Sequence, residues 1–187
     1  MTDIDFNSLT TYARGFTGLS DEHIATLHEM SAAISPRLNE VTEAFYSHLE
    51  TVDRAQPFLE GRLESLRQSH HKWLESVFAG NYDAEYTAAM YHVGDVHVKV
   101  NLPVEFMAGA MTLIQTDMNR LIIEECAGDS ERCTRWINAF NTAVGFTLMI
   151  MQESYQASSL AEELERFLSI TGMSRALFDN LAQAYTH

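Results

Sequence analysis

The sequence predicts an all-α protein, on three observations. Only three prolines interrupt its 187 residues, and each stands where a helix can begin, the position at which a missing N–H costs nothing. The strong breakers, "AGNYD" at 79–83 and "AGDS" at 127–130, lie far apart. In the second half, Met107, Ala110, Met111, Ile114, Met118, Leu121 and Ile122 recur at i, i+3 and i+4, as do Trp136, Phe140, Ala143, Thr147, Ile150 and Met151. That is the period of a helix with one buried face.

Taken in order, there is room for a short helix before residue 14. Ser20-Asp21-Glu22 starts a helix near 21–33, its acids favoured by the positive end of the helix dipole. Ser35-Pro36 reads as N-cap and first residue of a helix over 36–50, and Pro57 fits the same place before 58–79. A helix over 84–100 follows "AGNYD", and Pro103 opens 103–127. The next helix spans 130–163, and a last one lies near 165–184. Helix 130–163 is also apolar off its main face, at Ile137, Val144, Phe146, Leu148 and Met149, so more than one side is buried. Either it is central in a monomer, or its extra side meets a second copy. In so small a chain the second is expected, a homodimer through helices 103–127 and 130–163.

Composition narrows the function. The length suits one domain, or one with an appendage, and 46% hydrophobic residues supply a core. A formal charge of −14 argues against nucleic acid and anionic membranes, which need basic patches. The N-terminus has no signal-peptide pattern. The longest apolar run, Ala143 to Met151, is far short of the roughly 20 residues of a membrane span. Cys126 and Cys133 are too few for a disulfide scaffold or a four-cysteine zinc site. A cytoplasmic protein is expected. No Glu stands three residues before any of the eight histidines and no two histidines are four apart, which removes a di-iron bundle and a helical zinc site.

The informative stretch is "YHVGDVHVKVNLP", residues 91–103. Val96, Val98 and Val100 alternate with polar residues, as in a half-buried strand, which would point His97 to water. The helix-like run upstream favours helix. His97 then shares a stripe with Met90, Val93, Gly94 and Val100. With no side chain at Gly94, that stripe could accept something flat held by the imidazole. The alternative is a core histidine satisfied by a backbone carbonyl, and pattern alone favours it. Asn101 suits the left-handed residue that ends a helix.

"VFAGNYDAEYTAAMYHVGDVHVKVNLPVEFMAGAM" (77–111) resembles the core of the globin-coupled sensors, haem-bearing relatives of protoglobins in bacterial gas sensing. Their pattern has an Ile-Gly pair three residues before a histidine, then Arg-Ile-Gly-Leu-Pro. Here these are Val93-Gly94, His97, and Lys99-Val100-Asn101-Leu102-Pro103. Phe45-Tyr46 in "EAFYSHL" also fits, and the likeness covers roughly residues 20–160. This chain departs from the pattern at His92 for arginine, Asn101 for glycine, and Phe106-Met107 for Trp-Tyr. None of these removes the histidine.

The resemblance implies a globin fold: a three-over-three helical sandwich variant with an extra N-terminal helix and long last two globin helices. It implies a haem-binding sensor domain over 1–162, with 163–187 an amphipathic helical extension or linker. His97 would be the proximal ligand to the iron of haem b (iron protoporphyrin IX), leaving the opposite side open for O2, CO or NO. Tyr46 would donate a hydrogen bond to bound O2. Leu66, Ser69, His70 and Trp73 share one helical face; by similarity Leu66 and Ser69 line the distal pocket. His70 either reaches the iron or sits at the pocket edge beside a haem propionate, while His71 faces away and pairs with Glu75. Phe45, Trp73, Val93, Gly94, Val100 and Met107 would line the haem pocket. The function implied is O2 sensing coupled through a dimer to a downstream signalling domain or protein, rather than catalysis. The alternatives are a haem enzyme acting on O2 or NO, dioxygenase- or peroxidase-like, and a haem-free globin-like interaction module. A haem enzyme of sustained turnover needs electrons, and the chain carries no flavin or nicotinamide module.

Overall fold

A helix of 42 residues, Ser130–Thr171, is the spine on which the chain is built. The computed structural model describes residues 4–184; residues 1–3, and the last three of the expected extension 163–187, lie outside the described residues. Within them every regular element is helical. α1 is Phe6–Thr17, α2 Asp21–Ile34, α3 Leu38–Leu49, α4 the single turn Gln56–Leu59 and α5 Leu63–Ala79. α6 is Ala84–Lys99, α7 Val104–Cys126, α8 the long helix and α9 Arg175–Ala184. α8 packs against α1, α2, α6 and α7 and touches α5, while α3 lies on α5 and α7.

Local chemistry explains most boundaries. Asp5, Ser20, Asp83 and Asp129 are N-caps whose side chains accept backbone N–H bonds from the first turn. Ala127 and Gly128 turn the chain left-handed between α7 and α8. Asn101 ends α6 with φ +54°, and the His97 carbonyl accepts from Leu102 N–H at 2.9 Å. The strand reading of 95–100 is therefore excluded, and the helix reading holds.

Four boundaries differ from expectation. Ser35 is not an N-cap: its backbone is right-handed helical and its hydroxyl pairs with Ser31 at 3.0 Å. Ser35–Arg37 is instead a 3-10 turn that carries α2 almost directly into α3. A helix from 58 is interrupted at Gly61, whose φ of +71° suits glycine alone at low cost; Pro57 belongs to the separate turn α4. No break occurs near 163–165, because nothing in "SSLAEELERFLSI" ends a helix, and α8 runs on to the left-handed Gly172. Pro103 is the N-cap of α7 rather than its first residue.

The second apolar side of α8 is largely covered within the chain. Val144 and Phe146 are fully buried, Phe146 edge-on to Tyr82 at 5.7 Å. Only Ile137, Leu148 and Met149 stay half-buried. The sequence argument for a second copy, resting on all five, is correspondingly weaker: α8 is the central helix of this chain.

Two relations position the site. The first joins α6 to α8. A Cβ added at Gly94 would stand 2.5 Å from the Met151 carbonyl oxygen and 2.8 Å from Ser154 Cβ, so the helix backbones meet there with no side chain between. Beside that contact the Asp95 carboxylate accepts hydrogen bonds from Ser154 (2.7 Å) and Ser158 (2.6 Å), and Tyr155 donates to the Leu102 carbonyl at 3.1 Å. The second is a separation: α5 and α6 follow each other in sequence yet scarcely touch.

Gly94→Ala should destabilise the protein. The methyl's helix propensity is worth about 1 kcal/mol in its favour, but overpacking against backbone costs about 1–3 kcal/mol. Since the obstacle is a carbonyl that cannot rotate away, the penalty wins. Thermal unfolding should shift down by several degrees at roughly 2–4 °C per kcal/mol; an unchanged or raised midpoint would show that α6 and α8 can part without cost.

Candidate functional site

The aromatic residues of α3 and α5 gather around one imidazole. Phe45 and Tyr46 come from α3, His70 and Trp73 from α5. The His70 ring is 4.8 Å from Phe45, 5.7 Å from Tyr46 in an edge-to-face arrangement, and 5.5 Å from Trp73 in a stack tilted by 19°. Phe45 and Tyr46 are themselves edge-on at 5.0 Å. The i, i+3, i+4, i+7 face of α5 thus delivers His70 and Trp73 to one cluster. Leu66 is half-buried against the core beside it, and Ser69 is exposed. His71 faces away, its imidazole 3.7 Å from Glu75.

The cluster is short of hydrogen-bond partners. Both ring nitrogens of His70 and the indole N–H of Trp73 are buried with no protein partner. Burial, with a smaller contribution from His71, pushes the His70 pKa down to about 4, so the ring is neutral at neutral pH. Burial pushes the Tyr46 phenol up to about 12, against a small opposing effect of Arg67. Tyr46 therefore keeps its proton and remains an O–H donor.

The other histidine expected at the site, His97, is on α6. It is half-buried, its Nδ1 is shut from water with no protein partner, and burial lowers its pKa. The reading of His97 as a core histidine satisfied by a backbone carbonyl thus finds no carbonyl. His28, an exposed histidine, does have one, its Nε2 3.1 Å from the Gly80 carbonyl. A buried polar group left unpaired costs about 1–3 kcal/mol, and here His70 and Trp73 carry three such atoms within one turn of α5, with another on His97 of α6. Unmet needs of that size point to a ligand.

What would meet them is constrained. Among the described residues no three His, Cys, Asp or Glu side chains converge, so these imidazoles suit a metal that brings its own equatorial ligands. A flat macrocycle with an axial nitrogen from the protein fits neutral imidazole donors flanked by aromatic rings.

Of the other residues expected at the haem pocket, Met107 is 3% exposed, and Val93 and Val100 are half-buried. Gly94 needs correction. The open surface expected over it is filled by the backbone of α8, so its bare Cα serves helix packing rather than leaving room for a flat group. The Asp95–Ser154–Ser158 network was not foreseen: its partners are 59 and 63 residues apart in sequence, and no local pattern announces it.

Comparison with known proteins gives consistent results. A family model described as Protoglobin matches residues 6–161. The haem-based aerotactic transducer HemAT of Halobacterium salinarum is 26% identical over 117 residues, 61% of this chain but 24% of that protein. The chain thus spans about a quarter of that relative's length. The globin domain of the Geobacter sulfurreducens globin-coupled sensor aligns with a TM-score of 0.72 at 24% identity, covering 78% of this chain and 96% of that one. The ferric globin domain of E. coli DosC aligns at 0.64 and 16% identity, covering 78% and 99%. The fold is therefore a globin fold.

The buried neutral imidazoles make a prediction for the haem-free protein. Unfolded, His70 titrates near 6.5; folded, near 4. Between those values the unfolded state binds more protons, so stability is lost as pH falls from about 6.5 to about 4, by on the order of 3 kcal/mol from this group. His97, lowered in the same direction, adds to the slope. Denaturant unfolding across that range should show the loss, and His70→Phe should flatten most of it. An equal slope in the variant would mean that His70 is not held neutral.

Proposed function

The chain belongs to the protoglobin family, and from that premise we propose that it is a haem-based sensor domain for O2, able also to take CO or NO. One observation carries the reading. His97 and His70 present ring nitrogens buried without protein partners, on consecutive helices that scarcely touch. A transducer among its relatives is named as haem-based and aerotactic, which supports the assignment of gas and role. The haem would be haem b, and when bound it supplies an iron centre that takes a diatomic gas.

The protein's own groups divide the work. His97 offers a neutral imidazole from α6 as the proximal ligand. Tyr46, protonated well beyond neutral pH, offers an O–H donor to a polar diatomic ligand on the opposite side. Phe45, Leu66 and Trp73 keep that side apolar, so the hydrogen bond forms where little water competes. His70 gives the same side a neutral imidazole next to Tyr46. Its two buried nitrogens do not suit the solvent edge of a pocket, and we assign it to the iron whenever no gas is bound. Ser69, exposed on this face, is assigned to the pocket mouth.

Relay runs from α6 to α8. Gly94 and Asp95 hold α6 to residues 151–158 of α8, so a shift of His97 is handed to α8. Beyond that anchor Leu160, Phe167 and Ile170 are exposed and available to a downstream domain or protein. A homodimer through α7 and α8 is part of the proposal. It is supported by half-buried Ile137, Leu148 and Met149, by Ile123 at 56% exposure, and by Gly109 and Gly145, whose missing side chains face open space. No helix among the described residues is long and apolar enough to cross a membrane, and a cytoplasmic setting completes the reading. Binding and relay, rather than turnover, is the role assigned to this chain.

The visible spectrum is the test. The purified protein should show an intense Soret band that moves on reduction and again, reversibly, in air. His97→Ala should lose it or bind haem weakly. Tyr46→Phe should release O2 about tenfold faster or more, the worth of a hydrogen bond of about 1.5–3 kcal/mol. Reduced His70→Ala should be five-coordinate where the parent is six-coordinate; identical spectra would leave His70 a wall of the pocket. A chain that takes up no haem even when haemin is added sinks the proposal and leaves a globin-shaped interaction module.

A further inference from the structure

The function just described gives no part to Arg67, yet the fold sets it beside the gas-binding cluster. Arg67 lies on α5, three residues before His70, and is half-buried. Its Nη2 stands between two carboxylates of the neighbouring helix, 3.5 Å from Glu43 and 3.6 Å from Glu50. Glu43 is inside α3 and Glu50 caps its end. Positions 43, 46 and 50 fall at i, i+3 and i+7, on one face of that helix. The two carboxylates therefore flank Tyr46, about one turn away on either side. Arg67 also lines a polar groove of about 360 Å³ whose walls come from α3 and α5, while its Nε is shut from water with no protein partner.

On the haem-sensor reading above, we propose that Arg67 is a positioning residue for the gas side of the site. It is an ionic bracket that holds both turns of α3 around Tyr46 against α5, and so keeps the phenol O–H placed to donate to bound O2.

Charge explains why the bracket matters there. With the guanidinium in place, one cation sits between two anions. Without it, Glu43 and Glu50 remain on one face of α3, with Glu64 and Glu75 also lining the groove, in a chain whose formal charge is already −14. Like charges would then push α3 away from α5 where Tyr46 and His70 meet edge to face. Tyr46 touches Phe45 and His70 through ring edges, contacts that tolerate sliding; the bracket limits how far α3 can lift. An ion pair this exposed contributes little to folding as a whole. Its effect is on where α3 rests.

The test compares the full chain with Arg67→Met, which keeps the apolar stem and removes the charge, and with Arg67→Lys. In the haem-bound protein Arg67→Met should release O2 roughly twofold to fivefold faster, the range that a partly exposed ion pair can carry. Arg67→Lys should recover part of the difference. CO, a far weaker hydrogen-bond acceptor, should leave all three at the same rate. On a Tyr46→Phe background Arg67→Met should change nothing further. Raising the salt from about 0.05 M to about 0.5 M should speed O2 release from the parent but not from Arg67→Met. In the haem-free protein, amide exchange over 43–50 should quicken in Arg67→Met while that of α8 stays as in the parent. Unchanged O2 release, an equal change for O2 and CO, an effect that persists without the Tyr46 hydroxyl, or unchanged exchange over 43–50 would each overturn the proposal. The Soret band of the parent and the O2 release of Tyr46→Phe alone report on the haem-sensor reading, and the haem-free exchange reports on the bracket, so failure of one is told from failure of the other.

Discussion

The close approach of α6 to α8 at Gly94 is the contact on which the rest of the molecule depends. Two helix backbones can meet in this way only where one lacks a side chain. Because they do, the Asp95 carboxylate can accept part-buried hydrogen bonds from both Ser154 and Ser158, and Tyr155 reaches the Leu102 carbonyl at the end of α6. The helix that carries His97 is thereby fixed along its last turns in height and in rotation. With α6 drawn to α8, and α5 drawn to α3, the two helices bearing the unpaired imidazoles are held apart rather than packed together.

That separation has an energetic reading. A chain selected for stability alone would not keep His70, His97 and Trp73 with buried, unpaired nitrogens, since apolar residues of similar size would serve better there. Such costs are tolerated where a site must be ready before its ligand arrives. The surrounding aromatics set the protonation states in advance: His70 stays neutral and Tyr46 stays protonated chiefly because both are buried, with His71 adding a smaller push on His70.

Much of this was legible in the sequence, for local reasons. Caps, breakers and helical period are short-range signals, so Ser20, the "AGNYD" and "AGDS" turns and the left-handed Asn101 could be read directly. The face of α5 holding His70 and Trp73 followed from spacing alone. What escaped was set by partners far along the chain. Gly94 looked like empty space because the α8 backbone that fills it lies 57 residues on, at Met151. Phe146 and Val144 suggested an outer apolar surface until Tyr82 and its neighbours were seen to cover them. The stop expected near 163 fails for the opposite reason: no breaker stands there, and the plain local signal that ends the helix is Gly172.

The length of α8 gives small movements mechanical advantage. At about 1.5 Å per residue the helix is roughly 63 Å long, and some 20 Å of it extends past the Ser158 anchor to Thr171. A rigid rod pivoting at that anchor by about 3° would swing its far end by ~1 Å, more than a packed interface absorbs without rearranging. A helix that stopped where the globin does would have no such arm. Here the same uninterrupted hydrogen-bonded backbone is wall to the core at one end and pointer at the other.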